Sequence, residues 1–160
     1  MAPIHDVYER YAADVYRFAL YLSGEPAEAE DITADTFVRL WTAPGEIRTA
    51  TVKAYLFTIA RHLYLDRQRA RARLTELDDS LPSPAPNAED RAAARSEAAQ
   101  VRQAIARLPE ADRTALLMRV SGLSYEEIAQ AIGASVGAFK VRVHRARKRL
   151  IEAQHPGVKT

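Results

Sequence analysis

Cysteine is absent from the 160 residues of this chain. That excludes disulfides and thiolate chemistry and agrees with a reducing cytosol. No run of about 18 apolar residues occurs, so the sequence predicts no membrane insertion. The start, MAPIHDVYERY, lacks a basic segment followed by an apolar one, so no secretory signal is expected. Together these absences predict a cytoplasmic protein. Signs of an active site are missing too. No Gly-rich phosphate loop is present, and His5, His62, His144 and His155 are far apart, with no metal-ligand spacing. Neither a metal nor another cofactor is expected. Glu30 and Asp31 are adjacent, so on a helix they point to different sides and make a poor acid/base pair. An enzyme is therefore disfavoured.

A large excess of charge is also missing, since the net value is only +2. Its distribution is nevertheless uneven. Residues 1–60 hold nine acids and five bases, whereas 61–73 hold five arginines and one acid, Asp66. Residues 74–127 hold ten acids and six bases; 128–160 hold seven bases and one acid, Glu152. Solubility does not require such alternation. Two separate anion contacts with acidic surfaces between them produce it. With 48% of residues apolar, the chain can build real cores, as one domain or two small ones.

The most informative stretch is Ser124 to Leu150, SYEEIAQAIGASVGAFKVRVHRARKRL. Ser124 and Glu127 have the spacing of a capping box, in which each side chain satisfies a backbone N–H at the helix start. Ile128, Ala129 and Ile132 supply a short apolar face. Gly133 suits a left-handed turn that a Cβ opposes. Ser135 then reads as the N-cap of a second helix. Val136, Phe139, Val143, Ala146 and Leu150 recur at spacings of 3, 4, 3 and 4, which predicts one inward stripe. Lys140, Arg142, His144, Arg145, Arg147, Lys148 and Arg149 occupy the other positions. A charge run alone indicates a solvated face. Behind a capped helix and a glycine turn it indicates a helix-turn-helix that binds nucleic acid.

The remaining elements follow from periodicity. Helix one is predicted from about His5 to Ser23, with Ile4, Val7, Tyr11, Val15, Phe18 and Leu22 on one side and Gly24 as its stop. Helix two begins at Pro26 and carries Glu28, Glu30 and Asp31 near its positive end. Helix three is predicted from about Thr51 to Arg73, with Val52, Leu56, Ile59 and Leu63 inward. Tyr55, Phe57, His62 and Tyr64 are interleaved with Lys53, Arg61, Arg67, Arg69, Arg71 and Arg73. Taken singly, Tyr55 and Phe57 read as core. As a block, rings beside cations read as a surface for unstacked bases. Residues 74–95 contain Pro82, Pro84 and Pro86 and read as a linker; stretched, about 20 residues reach on the order of 70 Å. That is about two turns of B-DNA. Beyond it, Val101, Ile105 and Leu108 mark a helix ended by Pro109. Another helix follows, with Leu116, Leu117 and Val120 inward and Gly122 closing it. The chain is thus predicted to be all-α, with two small helical domains.

AEDITADTFVRLW, AYLFTIARHLYLDRQRAR and LSYEEIAQAIGASVGAFKVRVHRARKRL resemble, in order and separation, blocks of the extracytoplasmic-function (ECF) class of bacterial RNA polymerase sigma factors. The resemblance implies a sigma-two domain over 1–73, a linker over 74–95, a sigma-four domain over 96–153 and a tail over 154–160. It implies binding to core RNA polymerase, recognition and melting of promoter DNA, and control by an anti-sigma factor. Glu30, Asp31, Phe37, Leu40 and Trp41 match the block that docks on the polymerase. Lys53, Arg61, His62, Tyr64, Asp66 and Arg67 match the block that engages the minus-ten element. Lys140, Arg142, Arg145 and Arg147 match the helix that reads the minus-thirty-five element, with Tyr125 and Glu126 near the DNA backbone. One departure is Gly137-Ala138-Phe139-Lys140-Val141-Arg142, where the family usually has Gly-Thr-Val-Lys-Ser-Arg. Two hydroxyls are lost, and with them the expectation of an ordinary promoter preference.

Two other readings stay open on the residues alone. An ordinary helix-turn-helix regulator accounts for Ser124–Leu150 but leaves the basic aromatic helix and the acidic second helix unexplained. An interaction protein with an acidic partner accounts for the basic blocks but predicts no selective DNA binding.

Overall fold

A computed structural model describes residues 4–42, 51–77 and 96–154. The described residues form α-helices and no strands: α1 (Ile4–Ser23), α2 (Pro26–Thr42), α3 (Val52–Leu77), α4 (Glu97–Ala106), α5 (Glu110–Val120), α6 (Tyr125–Ile132) and α7 (Val136–Gln154). The all-α expectation holds. Helix α3 runs four residues past the predicted end at Arg73. The three linker prolines lie outside the described residues.

Helices α1, α2 and α3 form the first unit. Val15, Phe18, Ala19 and Leu22 bury one stripe of α1, as their spacing requires. Phe18 stacks on Phe57 of α3, with ring centroids 4.5 Å apart and planes 8° apart. Phe57 is therefore core. Tyr8 meets Phe37 of α2 edge-on at 5.0 Å, a favoured aromatic geometry. Gly24 ends α1 at φ 79°, and its N–H donates to the Leu20 carbonyl. Only two residues separate α1 from α2, so these helices pack as antiparallel neighbours.

The second unit is built around α5. Asp112 to Met118 are all buried, so this short helix is surrounded rather than laid on a surface. Its buried polar groups need partners, and each of the three has at least one. Asp112 accepts from Arg145, Arg113 donates to the Ala106 and Leu108 carbonyls, and Thr114 donates to Glu110. Phe139, Val143 and Ala146 of α7 pack inward as predicted. Val120 does not. It closes α5 at 65% exposure, because the helix ends there beside an open cleft between the two units. That cleft, of about 490 Å³, is lined by Phe18, Lys53, Ile105, Leu117 and Val120 among others.

The two units touch through α1 and α3 on one side and α4, α5 and α6 on the other. Their buried apolar residues form one continuous cluster. Among the described residues, no helix is long and apolar enough to cross a membrane.

Candidate nucleic-acid interface

The helix-turn-helix is assembled as its residues dictate. Ser124 Oγ accepts from the Glu127 N–H at 3.1 Å, and Glu127 accepts from the Ser124 N–H at 3.0 Å. This capping box fixes the start of α6 and holds the Glu127 carboxyl below its ordinary range, chiefly through the Ser124 backbone bond. Gly133 turns the chain at φ 78°. Ser135 Oγ then accepts from Ala138 N–H at 3.1 Å, which starts α7.

Packing decides which face of α7 is outward. With Phe139, Val143 and Ala146 buried, Gly137, Lys140, Val141, His144 and Lys148 form an exposed stripe. Arg147 and Arg149 are exposed beside it. The predicted contact residues behave differently from one another. Lys140 lies over the Tyr125 ring at 5.7 Å, and Arg119 lies over the same ring at 5.1 Å. Tyr125 on α6 thus meets one cation from α5 and one from α7, which ties α6 to both helices. Arg142 lies over the Phe139 ring at 5.1 Å. Glu126 is exposed. Arg145 reaches back to the buried Asp112 with two bonds of 2.8 and 2.6 Å. That pairing lowers the Asp112 pKa and raises that of Arg145. Arg145 therefore ties α7 to α5 in this arrangement.

The residues matched to the minus-ten block do not form one surface. Helix α3 turns about 100° per residue, which divides them. Lys53, Arg61 and Tyr64 face the second unit. Lys53 Nζ donates to the Ser121 carbonyl and lies 3.7 Å from Asp14. Arg61 pairs with Glu110 of α5 at 3.0 Å. Tyr64 is buried and its hydroxyl accepts from Arg113 at 2.9 Å. Burial raises the Tyr64 pKa, so the phenol stays neutral. His62 and Asp66, one turn apart, are on the exposed face. Partial desolvation, then the Arg61 charge, lower the His62 pKa; the imidazole is neutral at pH 7. Asp66 accepts from Arg69 at 2.6 Å, which lowers its pKa. Arg67 turns to α2, towards Asp31 at 3.8 Å and Asp35 at 3.3 Å.

The residues matched to polymerase docking also divide. Glu30 and Asp31 are exposed, Leu40 is half-buried and Phe37 is buried. Trp41 is 72% exposed. With Val38, 54% exposed, and Tyr8, it lines a shallow apolar hollow of about 520 Å³ on α1 and α2. Val38 and Tyr8 escape the sequence reading, although Ala34, Val38 and Trp41 have the spacing of a second stripe. Glu110, Asp112 and Arg113 escape it as well. They look like ordinary charged helix residues, and nothing local marks their partners 33 to 49 positions away. No group of three or more metal-binding side chains occurs among the described residues.

Comparison with known proteins places this geometry. Sigma-70 region 2 matches residues 7–74 and Sigma-70, region 4 matches residues 98–150. The ECF RNA polymerase sigma factor SigE of Mycolicibacterium smegmatis is 34% identical over 151 residues, 91% of this chain. The chain spans only 59% of that relative. The ECF RNA polymerase sigma factor SigM of Bacillus subtilis is 32% identical over 158 residues, 97% of each chain. The sigma factor RpoE from Bartonella quintana, solved in complex with the anti-sigma factor NepR, superposes with a TM-score of 0.78 at 28% identity, covering 96% of this chain and 98% of that one. Two sigma regions in order on one chain, and a full-length relative above 30% identity, settle the family: the chain belongs to the ECF RNA polymerase sigma factors.

Proposed function

We propose that this chain binds core RNA polymerase in the cytoplasm, directs it to promoters and supports melting, without catalysing a reaction itself. The observation that carries the reading is the outward face of α7, a cation-rich surface set by a capped and packed helix-turn-helix. Phosphate neutralisation by Lys140, Arg147 and their neighbours supplies affinity, and a few side chains supply the choice of sequence at the minus-thirty-five element. Arg142 is assigned to a base edge, where a bidentate pair discriminates by roughly 1–3 kcal/mol. Arg145 is assigned first to holding α7 on α5. Tyr125 and Glu126 stand at the DNA backbone.

Lys53, Arg61, His62, Tyr64, Asp66 and Arg67 are assigned to the minus-ten element, in three groups. Arg67 must first release Asp31 and Asp35 of α2. His62 and Asp66 are accessible as the molecule stands. Lys53, Arg61 and Tyr64 need the second unit to move away. An anti-sigma factor that favours the closed arrangement keeps them covered; the likeness over both units to a sigma factor held by NepR supports this reading. Trp41, Leu40 and the acidic Glu30 and Asp31, repelled by DNA, are assigned to the polymerase, with Phe37 shaping the surface from beneath. The test is run-off transcription with purified core polymerase and this chain on a genomic fragment library. Specific transcripts that depend on the chain support the proposal; no binding to core polymerase and no transcripts overturn it.

A further inference from the structure

In the N-terminal half of α7 a large apolar side chain stands outward among the cations. Val141 is 59% exposed on the stripe that includes Lys140, His144 and Lys148. A β-branched residue is restricted at χ1 in a helix, and the burial that ordinarily offsets this is absent. Single exposed valines are common on protein surfaces; the place of this one is what matters. Lys140 is drawn against the Tyr125 ring on one side and Arg142 against the Phe139 ring on the other. Val141 stands between Lys140, assigned to phosphate, and Arg142, assigned to a base edge, in the N-terminal half of the helix, the part that meets base edges. The major groove offers one apolar feature on those edges, the thymine C5-methyl group. We propose that Val141 packs on a thymine methyl of the minus-thirty-five element and selects thymine at that position. The inference rests on reading α6 and α7 as a promoter-binding helix-turn-helix, and it adds a specificity residue to it.

The experiment uses the full chain bound to core polymerase and a duplex selected by that complex from random sequence. Each thymine of the upstream element is replaced in turn by deoxyuridine, which pairs identically and lacks only the methyl group. Burying one methyl corresponds to about a four-fold effect on affinity. In the unsubstituted protein one thymine shows a loss of that order when replaced. In Val141→Ser the same replacement has no effect, and Val141→Thr, which keeps one methyl, is intermediate. Unchanged thermal melting of both variants shows that the exposed site is not structural. A selected element without thymine, uniform tolerance of deoxyuridine, or equal sensitivity in Val141→Ser overturns the inference while leaving promoter binding intact. Failure to select any sequence overturns both.

Discussion

The Arg61 guanidinium on α3 lies 3.0 Å from the Glu110 carboxylate on α5. The same carboxylate oxygen accepts from Thr114 at 2.7 Å, so it is held in place from its own helix. A fixed anion thus occupies a cation matched to promoter contact. Partly exposed pairs of this kind contribute up to about 1 kcal/mol. Glu110→Gln is therefore expected to tighten binding of single-stranded minus-ten DNA by roughly two- to five-fold, measured by fluorescence anisotropy. Arg61→Ala weakens it. Equal affinities for the unsubstituted protein and Glu110→Gln dismiss the pair as a brake.

Asp112 and Arg145 hold α5 to α7 more firmly, because Asp112 is buried. Removing Asp112 takes away two charge-assisted bonds but leaves Arg145, which is half-exposed, free to turn to water, so Asp112→Ala costs about 2 kcal/mol of stability, read from urea unfolding at pH 7. The pH dependence follows from the lowered Asp112 pKa, caused first by the Arg145 hydrogen bonds. The ion pair's contribution is complete above the unfolded carboxyl value near about 4. It is lost as pH falls through the lower folded value. Asp112→Asn therefore loses least relative to the unsubstituted protein in strong acid; an identical gap at pH 3 and pH 7 contradicts this.

Trp41 and Phe37 stand one helical turn apart and are expected to fail in different assays. Trp41→Ala exposes no core and changes stability by less than about 0.5 kcal/mol. It lowers affinity for core polymerase at least ten-fold if the ring is an anchor of about 2 kcal/mol. Phe37→Ala costs about 3–5 kcal/mol of folding stability. Pull-down of core polymerase alongside thermal melting separates the two. Trp41→Ala with undiminished pull-down removes the docking role.

The cations of α7 differ in what they neutralise. Lys140→Ala and Arg147→Ala each reduce the slope of log binding constant against log salt by about 1. Arg145→Ala lowers the melting temperature and changes the slope least. A full unit lost on Arg145→Ala places that side chain on phosphate in the bound state.

Much of the fold was legible because it is written locally. A helix start needs a side chain within three residues, as at Ser124 and Glu127, and a helix face repeats every three or four. Those relations survive without knowledge of the partner. The failures occur where a helix end meets another unit. Val120 has the spacing of an inward residue, yet α5 ends beside the open cleft and the side chain has nothing to pack on. Tyr64 reads as a ring among arginines, but Arg113, 49 positions away, covers it.

The same boundary runs through the site. By itself the order of residues determined the helices, the glycine turn, the inward stripe of α7 and the family, all short-range or strung along the chain. Tertiary packing alone decided which cations remain free. Arg145 is committed to Asp112, Arg61 to Glu110 and Lys53 to the Ser121 carbonyl, while Lys140, Arg147 and Lys148 remain outward. Charge and spacing count every cation alike; a carboxylate or carbonyl at the right distance distinguishes them, and only folding brings it there.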